Sequence, residues 1–150
     1  ITVRVEGDVA APAERVYRIL ADYRRHHPRI LPPAFSGFAV EQGGVGGGTI
    51  IRFRVTVGGR TQSYRQLVTE PVPGRILREA DLDADRATTF TVTPDGAGCR
   101  VRIETSWRSG GLRGLVERLA APRLLRPLYA DELARLDRYA REEGNARKWA

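Results

Sequence analysis

Six strand-like segments follow one another between residues 35 and 107, and this run constrains the fold more than any other feature of the chain. Within each segment apolar and polar residues alternate, as they do on a strand with one buried face. Turn signals separate the segments, among them Gly58-Gly59, which is typical of a two-residue hairpin. Strands joined by such short turns pair antiparallel. The segments cover residues 35–40, 51–57, 60–70, 75–81, 88–93 and 99–107.

Before this run the chain carries one more strand pattern and then a helical one. Residues 1–9 alternate between apolar and polar side chains, which predicts a first strand. Apolar residues at helical spacing follow Pro12, a residue that the first turn of a helix tolerates. Prolines between residues 28 and 33 then separate a second, short helical piece at about 29–31.

After Gly110-Gly111 the pattern is helical again as far as about residue 143. Pro122 and Pro127 interrupt it and predict a kink, or a short helix that leads into a longer one. The leucines of this stretch need a surface to be buried against, and they are Leu115, Leu119, Leu125, Leu128, Leu133 and Leu136.

A curved sheet wrapped around this long helix buries one face of the strands together with the leucines. The predicted fold class is therefore α+β, with a curved antiparallel seven-stranded sheet, a long C-terminal helix, and two short helices between the first and second strands. A length of 150 residues favours one domain. We place this domain at residues 1–143 and predict a polar C-terminal tail at residues 144–150.

The chain is basic, with a formal net charge of +7, and Lys148 is the single lysine among its 25 basic residues. Such an arginine bias is typical of a GC-rich, bacterial genome, so the charge alone does not indicate a nucleic-acid partner. Arginines predicted on the outer sheet face alternate with Glu6 and Glu104 and lack the aromatic neighbours that single-strand binders use. We therefore expect no specific nucleic acid, and at most a weak contact with an anionic membrane surface. These arginines are Arg52, Arg54, Arg65, Arg100 and Arg102.

Cys99 is the single cysteine, so no intramolecular disulfide can form. We interpret it as a small apolar filler at the start of a strand, with a nucleophilic thiol as the alternative. A reducing, cytoplasmic compartment is the simple interpretation. No apolar run approaches the roughly 18 residues that a membrane-spanning helix needs.

Several short motifs occur along nearly the whole chain, at residues 11–17, 20–23, 31–32, 70–71 and 133–136, with Pro28 and the glycine-rich hairpin before Thr49. Taken in order, these motifs resemble those of the polyketide cyclase/dehydrase and lipid-transport family, part of the START-like (SRPBCC, helix-grip) superfamily. The stretch from Asp22-Tyr23 through Leu31-Pro32 is similar to the branch that contains coenzyme Q-binding proteins and aromatase/cyclases. The resemblance implies a helix-grip fold with a hydrophobic cavity between the concave sheet face and the long helix. It implies no single reaction, because members include enzymes, carriers and sensors.

Three functions fit such a cavity. The first is binding of a small hydrophobic ligand (a lipid, isoprenoid or polyketide-like molecule) whose polar end Tyr64 or Gln66 fixes. The second is a polyketide cyclase, aromatase or dehydratase in which Tyr64 or an inward carboxylate moves protons, although no catalytic residue can be assigned. The third is a chaperone-cofactor-like interaction domain with a protein partner. The lack of an evident acid–base pair favours the first function. We expect the protein to be a monomer or a homodimer.

Strand parity and the apolar stripe of the long helix select the candidate ligand-binding residues. The polar members interest us most, because a few polar groups fix the orientation of a ligand in an apolar pocket. The candidates are Phe53, Tyr64, Gln66, Phe90, Thr105, Trp107, Leu128 and Glu132.

Three carboxylates lie near the predicted inward faces, namely Glu79, Asp131 and Glu132. An inward carboxyl group would have a raised pKa through desolvation and could act as an acid or base. Glu79 shares its parity with Leu77, whereas Ile76 and Ala80 favour the opposite face. Because arginines are abundant nearby, we interpret the carboxylates as solvated or Arg-paired surface groups.

Neither metal nor nucleotide chemistry has a supporting motif, and we expect no cofactor and no metal. His26 and His27 are adjacent, so their side chains point apart on an extended segment. We predict a structural role for them at the surface or the cavity mouth. The glycines of residues 43–48 lack the Lys-Ser/Thr of a phosphate loop and predict a flexible hairpin near the mouth.

Overall fold

The computed structural model describes residues 1–149, with side chains through Ala146, and its elements follow the predicted order. One short helix and a single 3₁₀ turn lie between the first two strands, where two short helices were predicted. The elements are β1 (Thr2–Val9), α1 (Ala13–Ala21), the 3₁₀ turn (His27–Ile30), β2 (Phe35–Gln42), β3 (Ile50–Val57), β4 (Arg60–Val72), β5 (Ile76–Asp81), β6 (Arg86–Asp95), β7 (Gly98–Trp107) and α2 (Gly111–Trp149).

The seven strands form one antiparallel sheet in the order β1-β7-β6-β5-β4-β3-β2. Consecutive hairpins build the sheet from β2 to β7, and β1 pairs with β7 at the far edge from Thr2 opposite Ser106 to Val9 opposite Cys99. The connection through α1 and the 3₁₀ turn therefore spans the sheet from one edge strand to the other. The α+β helix-grip architecture is confirmed.

The C-terminal half of α2 packs along β1 and closes one end of the molecule. Leu133, Leu136 and Ala140 are buried in this contact. Gly7 permits the close approach, because a Cβ atom at this position would lie 3.3 Å from Cδ1 of Leu133. This face of α2 is buried against β1 and α1, and the contact forms the closed end of the core.

The N-terminal half of α2 is packed far less tightly than predicted. Leu115 and Leu119, which we expected to be buried, are exposed, and Leu119 retains 63% of its accessible surface. Leu125 and Leu128 are half-buried, as expected for residues nearer the core. The predicted leucine stripe is thus a packing surface only in its C-terminal part.

The two prolines do not divide this helix, which is a single element from Gly111 to Trp149 with Pro122 and Pro127 inside it. The predicted end near residue 143 is also wrong, because the backbone stays helical to Trp149. Ala150, the last residue of the predicted tail, lies outside the described residues. The domain boundary at residue 143 stays a prediction.

The glycine-rich loop at residues 43–48 is fastened to the turn that follows α1. The amide of Tyr23 donates to the carbonyl of Gly44 over 2.8 Å, and the amide of Gly46 donates to the carbonyl of Ala21 over 2.9 Å. Glu70 of β4 reaches the same loop, with 2.7 Å between its Oε1 atom and the amide nitrogen of Gly47. The loop is therefore a hydrogen-bonded connection at the closed side, and the prediction of a flexible hairpin near the cavity mouth is wrong.

Candidate functional site

A cavity of about 840 Å³ lies between the concave sheet face and α2, with the 3₁₀ turn at one end. Its size falls within the range that small-molecule sites occupy. All eight residues selected from the sequence line this cavity. They are Phe53, Tyr64, Gln66, Phe90, Thr105, Trp107, Leu128 and Glu132.

Aromatic rings form the wall of the cavity on β2, β3 and β4. The ring of Phe53 lies 5.5 Å from that of Phe35, 6.4 Å from that of Phe38 and 5.4 Å from that of Tyr64, measured between centroids. Ile51 and Phe53 face inward while Arg52 and Arg54 are exposed, so the predicted parity of β3 is confirmed. This wall offers an apolar molecule a broad contact surface.

Exposed side chains mark the open end of the cavity. Leu112 and Val116 on α2 and Arg60 on β4 belong to its lining, and Leu112 retains 79% of its accessible surface. His27, Phe90 and Glu132 at the other end are buried. The cavity therefore has a mouth of mixed polarity under the N-terminal half of α2, with Leu112 and Val116 beside Arg60 and Arg113, and a closed end beneath the middle of the helix.

Arg86 lies between two aromatic rings on the wall. Its guanidinium carbon is 5.3 Å from the ring centroid of Tyr64 and 5.0 Å from that of Trp107, distances typical of cation–π contacts. Its Nη1 atom donates to the hydroxyl oxygen of Tyr64, which itself donates to Oε1 of Gln62. The Tyr64 hydroxyl predicted to fix a ligand is therefore already hydrogen-bonded within the protein.

Trp107 also links β7 to the start of α2. Its indole Nε1 donates to Oε2 of Glu117 over 2.9 Å. This hydrogen bond, together with those from Ser109 and Arg113, holds the pKa of the Glu117 carboxyl group below its ordinary value. The contact fixes the N-terminal half of α2 across the mouth.

A row of hydroxyl groups crosses the inner sheet face toward α2. Glu79, Thr88 and Thr105 are paired across β5, β6 and β7 and share this face. The hydroxyl oxygens of Thr88 and Thr105 lie 2.8 Å apart, and that of Thr105 lies 2.6 Å from the hydroxyl of Tyr129 on α2. Burial raises the pKa of Tyr129 to about 12, so this row consists of neutral hydroxyls.

Glu79 lies in this row with its carboxyl group buried. The hydroxyl of Tyr23 donates to its Oε2 atom over 2.7 Å. Desolvation raises the pKa of Glu79 to about 7, although the hydrogen bond from Tyr23 acts in the opposite direction. The interpretation of Glu79 as a surface group is wrong, and its parity with Leu77 was the correct signal.

His27 is buried beside Glu79, which contradicts the prediction of a surface or mouth position. Its Nδ1 atom lies 2.6 Å from the carbonyl oxygen of Leu20, and a carbonyl can only accept, so Nδ1 carries the proton. Burial lowers the pKa of His27 to about 4. The neutral ring therefore presents Nε2 as an acceptor, 3.7 Å from Oε2 of Glu79, and this contact is not an ion pair.

Glu132 on α2 is the second buried carboxyl group, with 3% of its surface accessible. Desolvation first, and then the charges of Glu79 and Asp131, raise its pKa well above the ordinary value. Asp131 instead pairs with Arg135 at 3.1 Å near the surface. The surface interpretation is thus right for Asp131 and wrong for Glu132.

Gln66 is buried on the same wall, at the predicted inward position. Its Nε2 atom donates to Oδ1 of Asp81 over 2.8 Å, and its Oε1 atom has no hydrogen-bond partner among the described residues. Desolvation raises the pKa of Asp81, a carboxyl group that sequence reasoning had not selected.

Other predicted features lie away from the cavity. Cys99 is buried, and burial raises the pKa of its thiol to about 11, as suits an apolar filler. His26 contacts α2 through a 2.7 Å hydrogen bond between Nδ1 and the hydroxyl of Tyr139. Within the described residues, no three His, Cys, Asp or Glu side chains are grouped to hold a metal, and no helix has the length and apolarity to cross a bilayer.

The outer sheet arginines are largely paired with carboxylates. Arg100 and Arg102 share Glu6, with nitrogen–oxygen distances of 3.1 Å and 2.8 Å, and Arg65 lies 2.6 Å from Glu41. Paired guanidinium groups of this kind leave little free positive charge for a phosphate backbone.

A cavity gripped between a curved antiparallel sheet and a long C-terminal helix is the mark of the SRPBCC class of helix-grip proteins. The chain belongs to the polyketide cyclase/dehydrase and lipid transport family, whose sequence model matches residues 1–141. Among curated proteins, none matches the chain in sequence.

Solved structures agree with this assignment of the fold. The KanY protein (ms6282) is 27% identical, with a TM-score of 0.83 over 94% of this chain and 97% of that one. The protein TTHA0849 from Thermus thermophilus is 20% identical, with a TM-score of 0.76 over 95% and 99% of the two chains. Norcoclaurine synthase from Thalictrum flavum, solved with dopamine and hydroxybenzaldehyde, is 19% identical, with a TM-score of 0.70 over 95% and 87%.

Proposed function

We propose that the protein binds a small hydrophobic ligand, such as a lipid, an isoprenoid or a polyketide-like molecule, in the cavity between the sheet and α2. The observation that carries this proposal is the cavity itself, about 840 Å³ of space with an aromatic wall. A core that served packing alone would be filled, because protein interiors leave few voids larger than a water molecule.

The distribution of polar groups supports one orientation of the ligand. Its apolar body would contact Phe53, Phe90 and Leu128, and its polar end would lie near Gln66, Thr105 and Glu132 at the closed end. This orientation places each part of an amphiphilic molecule beside groups of matching polarity. Trp107 and Tyr64 would contact the body through their rings, since the Tyr64 hydroxyl is already engaged.

The test is displacement of a fluorescent apolar dye, Nile red, by the isoprenoid alcohol farnesol. Ala121→Phe places a ring in the cavity lining, and we expect it to weaken farnesol binding by roughly tenfold or more, because the ring takes up ligand space. Arg138→Phe adds the same ring at an exposed position of α2 and is the matched control. Equal binding by both variants, or no displacement in the parent protein, contradicts the proposal.

The exposed surface of α2 beside the mouth supports contact with an anionic membrane surface from which such a ligand could be loaded. Leu112, Leu115 and Leu119 are exposed here, beside the exposed side chains of Arg113 and Arg118. Apolar and cationic side chains together on one helix are typical of segments that lie in the interface of anionic lipids.

An enzyme is the second candidate, a polyketide cyclase, aromatase or dehydratase that uses the same cavity. No acid–base pair is evident from the sequence. The structure, however, contains two buried carboxyl groups with raised pKa values, Glu79 and Glu132. Loss of turnover with retained ligand binding in Glu79→Gln would support the enzyme. A cytoplasmic location and a monomeric or homodimeric state stay predictions.

A further inference from the structure

The closed end of the cavity contains hydrogen-bond acceptors that no protein donor satisfies. Glu132 lines the cavity, is buried, and has no hydrogen-bond partner among the described residues. Glu79 receives one hydrogen bond, from Tyr23 to Oε2, which leaves its other oxygen atom. The Nδ1–H group of His27 donates a hydrogen bond to the carbonyl oxygen of Leu20, which leaves Nε2 as a further acceptor.

No protein cation neutralises these two carboxyl groups. In the described part of the chain neither Glu79 nor Glu132 forms an ion pair with an arginine, although arginines pair with other carboxylates, as Arg4 does with Glu104. Arg86 lines the same cavity, but it is held between aromatic rings and donates to the Tyr64 hydroxyl. Two carboxyl groups buried in one apolar cavity are stable only when they are protonated, the state that their raised pKa values favour, or when a positive charge joins them.

A primary ammonium group matches this arrangement in charge and in number of donors. It carries three N–H donors and one positive charge, whereas a hydroxyl group carries one donor and no charge. The free oxygen of Glu79 and the two oxygens of Glu132 are the acceptors that it would meet. A ligand that ends in a carbonyl group, by contrast, could accept a hydrogen bond only from a protonated carboxyl group, and it would add another acceptor to the site.

We propose that the closed end of the cavity binds the ammonium group of an amphiphilic primary amine between the carboxylates of Glu79 and Glu132. The apolar body of the amine then lies against the aromatic wall and points toward the mouth. This inference rests on the proposed ligand-binding function and names the chemical class of the ligand.

The other titratable groups around the site are compatible with a bound cation. From the segments around it, Tyr23, His27 and Tyr129 face the carboxyl groups, and burial keeps all three uncharged at neutral pH. Asp131, the neighbour of Glu132 on α2, adds negative charge nearby. The positive charge of Arg86 acts on Asp81 and Tyr129, whereas the charges that raise the pKa values of Glu79 and Glu132 are those of carboxyl groups.

The experiment compares decylamine with decyl alcohol by isothermal titration calorimetry at neutral pH. The two molecules share the same apolar chain and differ in the charge and donor count of the terminal group. We expect decylamine to bind roughly tenfold or more tightly, because hydrogen bonds to charged groups are stronger than neutral ones. Decyl alcohol reports on the apolar cavity alone.

Two variants locate the effect and a third controls for charge. Glu132→Gln and Glu79→Gln should each remove the preference for the amine, measured as the ratio of the two dissociation constants, and the decyl alcohol titration of the same variant accounts for any change in the cavity itself. Asp131→Asn removes the same charge one residue away, outside the cavity lining, and should keep the preference. Thermal unfolding of each variant establishes that it is folded before binding is compared.

The outcomes separate this inference from the proposed function. If decyl alcohol binds and the amine binds no tighter, the ammonium site is refuted and the apolar cavity stands. A preference that survives in both Glu132→Gln and Glu79→Gln also refutes the site. If neither molecule binds, both the inference and the proposed function fail.

Discussion

The Nε2 atom of His27 lies 3.7 Å from Oε2 of Glu79, and burial changes the two pKa values in opposite directions. The pKa of His27 falls to about 4 and that of Glu79 rises to about 7. Both residues are consequently neutral in the folded state over the mildly acidic range. Their effects on stability therefore oppose each other as the pH changes.

Glu79→Gln should expose this opposition in the pH dependence of stability. The raised pKa of Glu79 means that its contribution to the free energy of unfolding is fully present below about pH 4.5 and is lost as the pH rises to about 7. The loss corresponds to about 3 kcal/mol. Relative to the parent, the glutamine variant should gain stability by this order over that interval.

His27 supplies the internal comparison for the same experiment. Its contribution is present above pH 6.5 and is lost as the pH falls through that value toward about 4. The stability of Glu79→Gln should therefore decrease toward acid more steeply than that of the parent. Urea unfolding at several pH values measures both slopes, and parallel curves for the two proteins would contradict the assignment.

Leu115→Ser combined with Leu119→Ser should weaken binding to vesicles of phosphatidylglycerol and phosphatidylcholine. These leucines are exposed on α2, so the change removes apolar contact with the bilayer and leaves the core unchanged. Cosedimentation should show less bound protein for the double variant. Binding should also fall at high salt, because anionic lipids attract the neighbouring arginines through screened charges. Equal binding of the variant and the parent protein would mean that these leucines do not contact the membrane.

Glu117→Ala should loosen the N-terminal half of α2. The change removes the acceptor of the Trp107 indole, which fastens this half to β7, and of Arg113, which lies one turn earlier on the same helix. Hydrogen exchange of amides in residues 111–121 should accelerate. Amides around Leu133 and Leu136, which are packed on β1, serve as the control and should not change. Uniform acceleration along the helix would indicate global destabilisation instead.

Gly46→Ala should cost more stability than Gly59→Ala. Both glycines have positive φ angles, +69° and +75°, so each alanine bears a similar backbone cost of about 1 kcal/mol. At Gly46 the added Cβ also meets Oε1 of Glu70, whereas Gly59 faces open space. Glu70 cannot yield freely, because its carboxylate accepts from the Tyr17 hydroxyl over 2.6 Å and from the Gly47 amide.

The excess cost at Gly46 should disappear when Glu70 is first changed to alanine, since the obstructing oxygen is then absent. Chemical denaturation of the four proteins of this double-mutant cycle measures the coupling. Additive free energies would mean that Glu70 does not limit the loop.

Cys99 should react with thiol reagents only after unfolding. Its side chain retains 2% of its accessible surface, and burial raises the pKa of the thiol to about 11, so the reactive thiolate is scarce and shielded. A stoichiometric reaction with Ellman's reagent should appear in denaturant and be slow in its absence. Rapid labelling of the folded protein would instead support the alternative that the Cys99 thiol is a nucleophile.

Strand parity was sufficient to predict the sheet and most of the cavity wall. Alternation placed Phe53 and Thr105 on the inner face, and both line the cavity. It was equally correct at Glu79, where the shared parity with Leu77 indicated burial. At this position the general expectation that carboxylates are solvated does not hold, whereas the local pattern does.

Packing along α2 could not be read from its leucines alone. Leu119 and Leu133 occupy the same kind of helical spacing, but only the second meets β1. Which helical turns contact the sheet depends on where α2 crosses it, a property set by Gly7 and by the curvature of the strands. The burial of His27 likewise depends on a tertiary contact, since its neighbours Glu79 and Phe90 come from distant strands.

The carboxyl groups at the closed end of the cavity impose an order on the movements of any amphiphilic guest. Its polar head must pass first, shed its water within the aromatic passage, and meet acceptors only at the end of the path. Because the loss of this hydration costs free energy, it slows both the entry and the exit of the guest. On leaving, the tail emerges ahead of the head, which is the direction required to slip into an acyl layer without turning around.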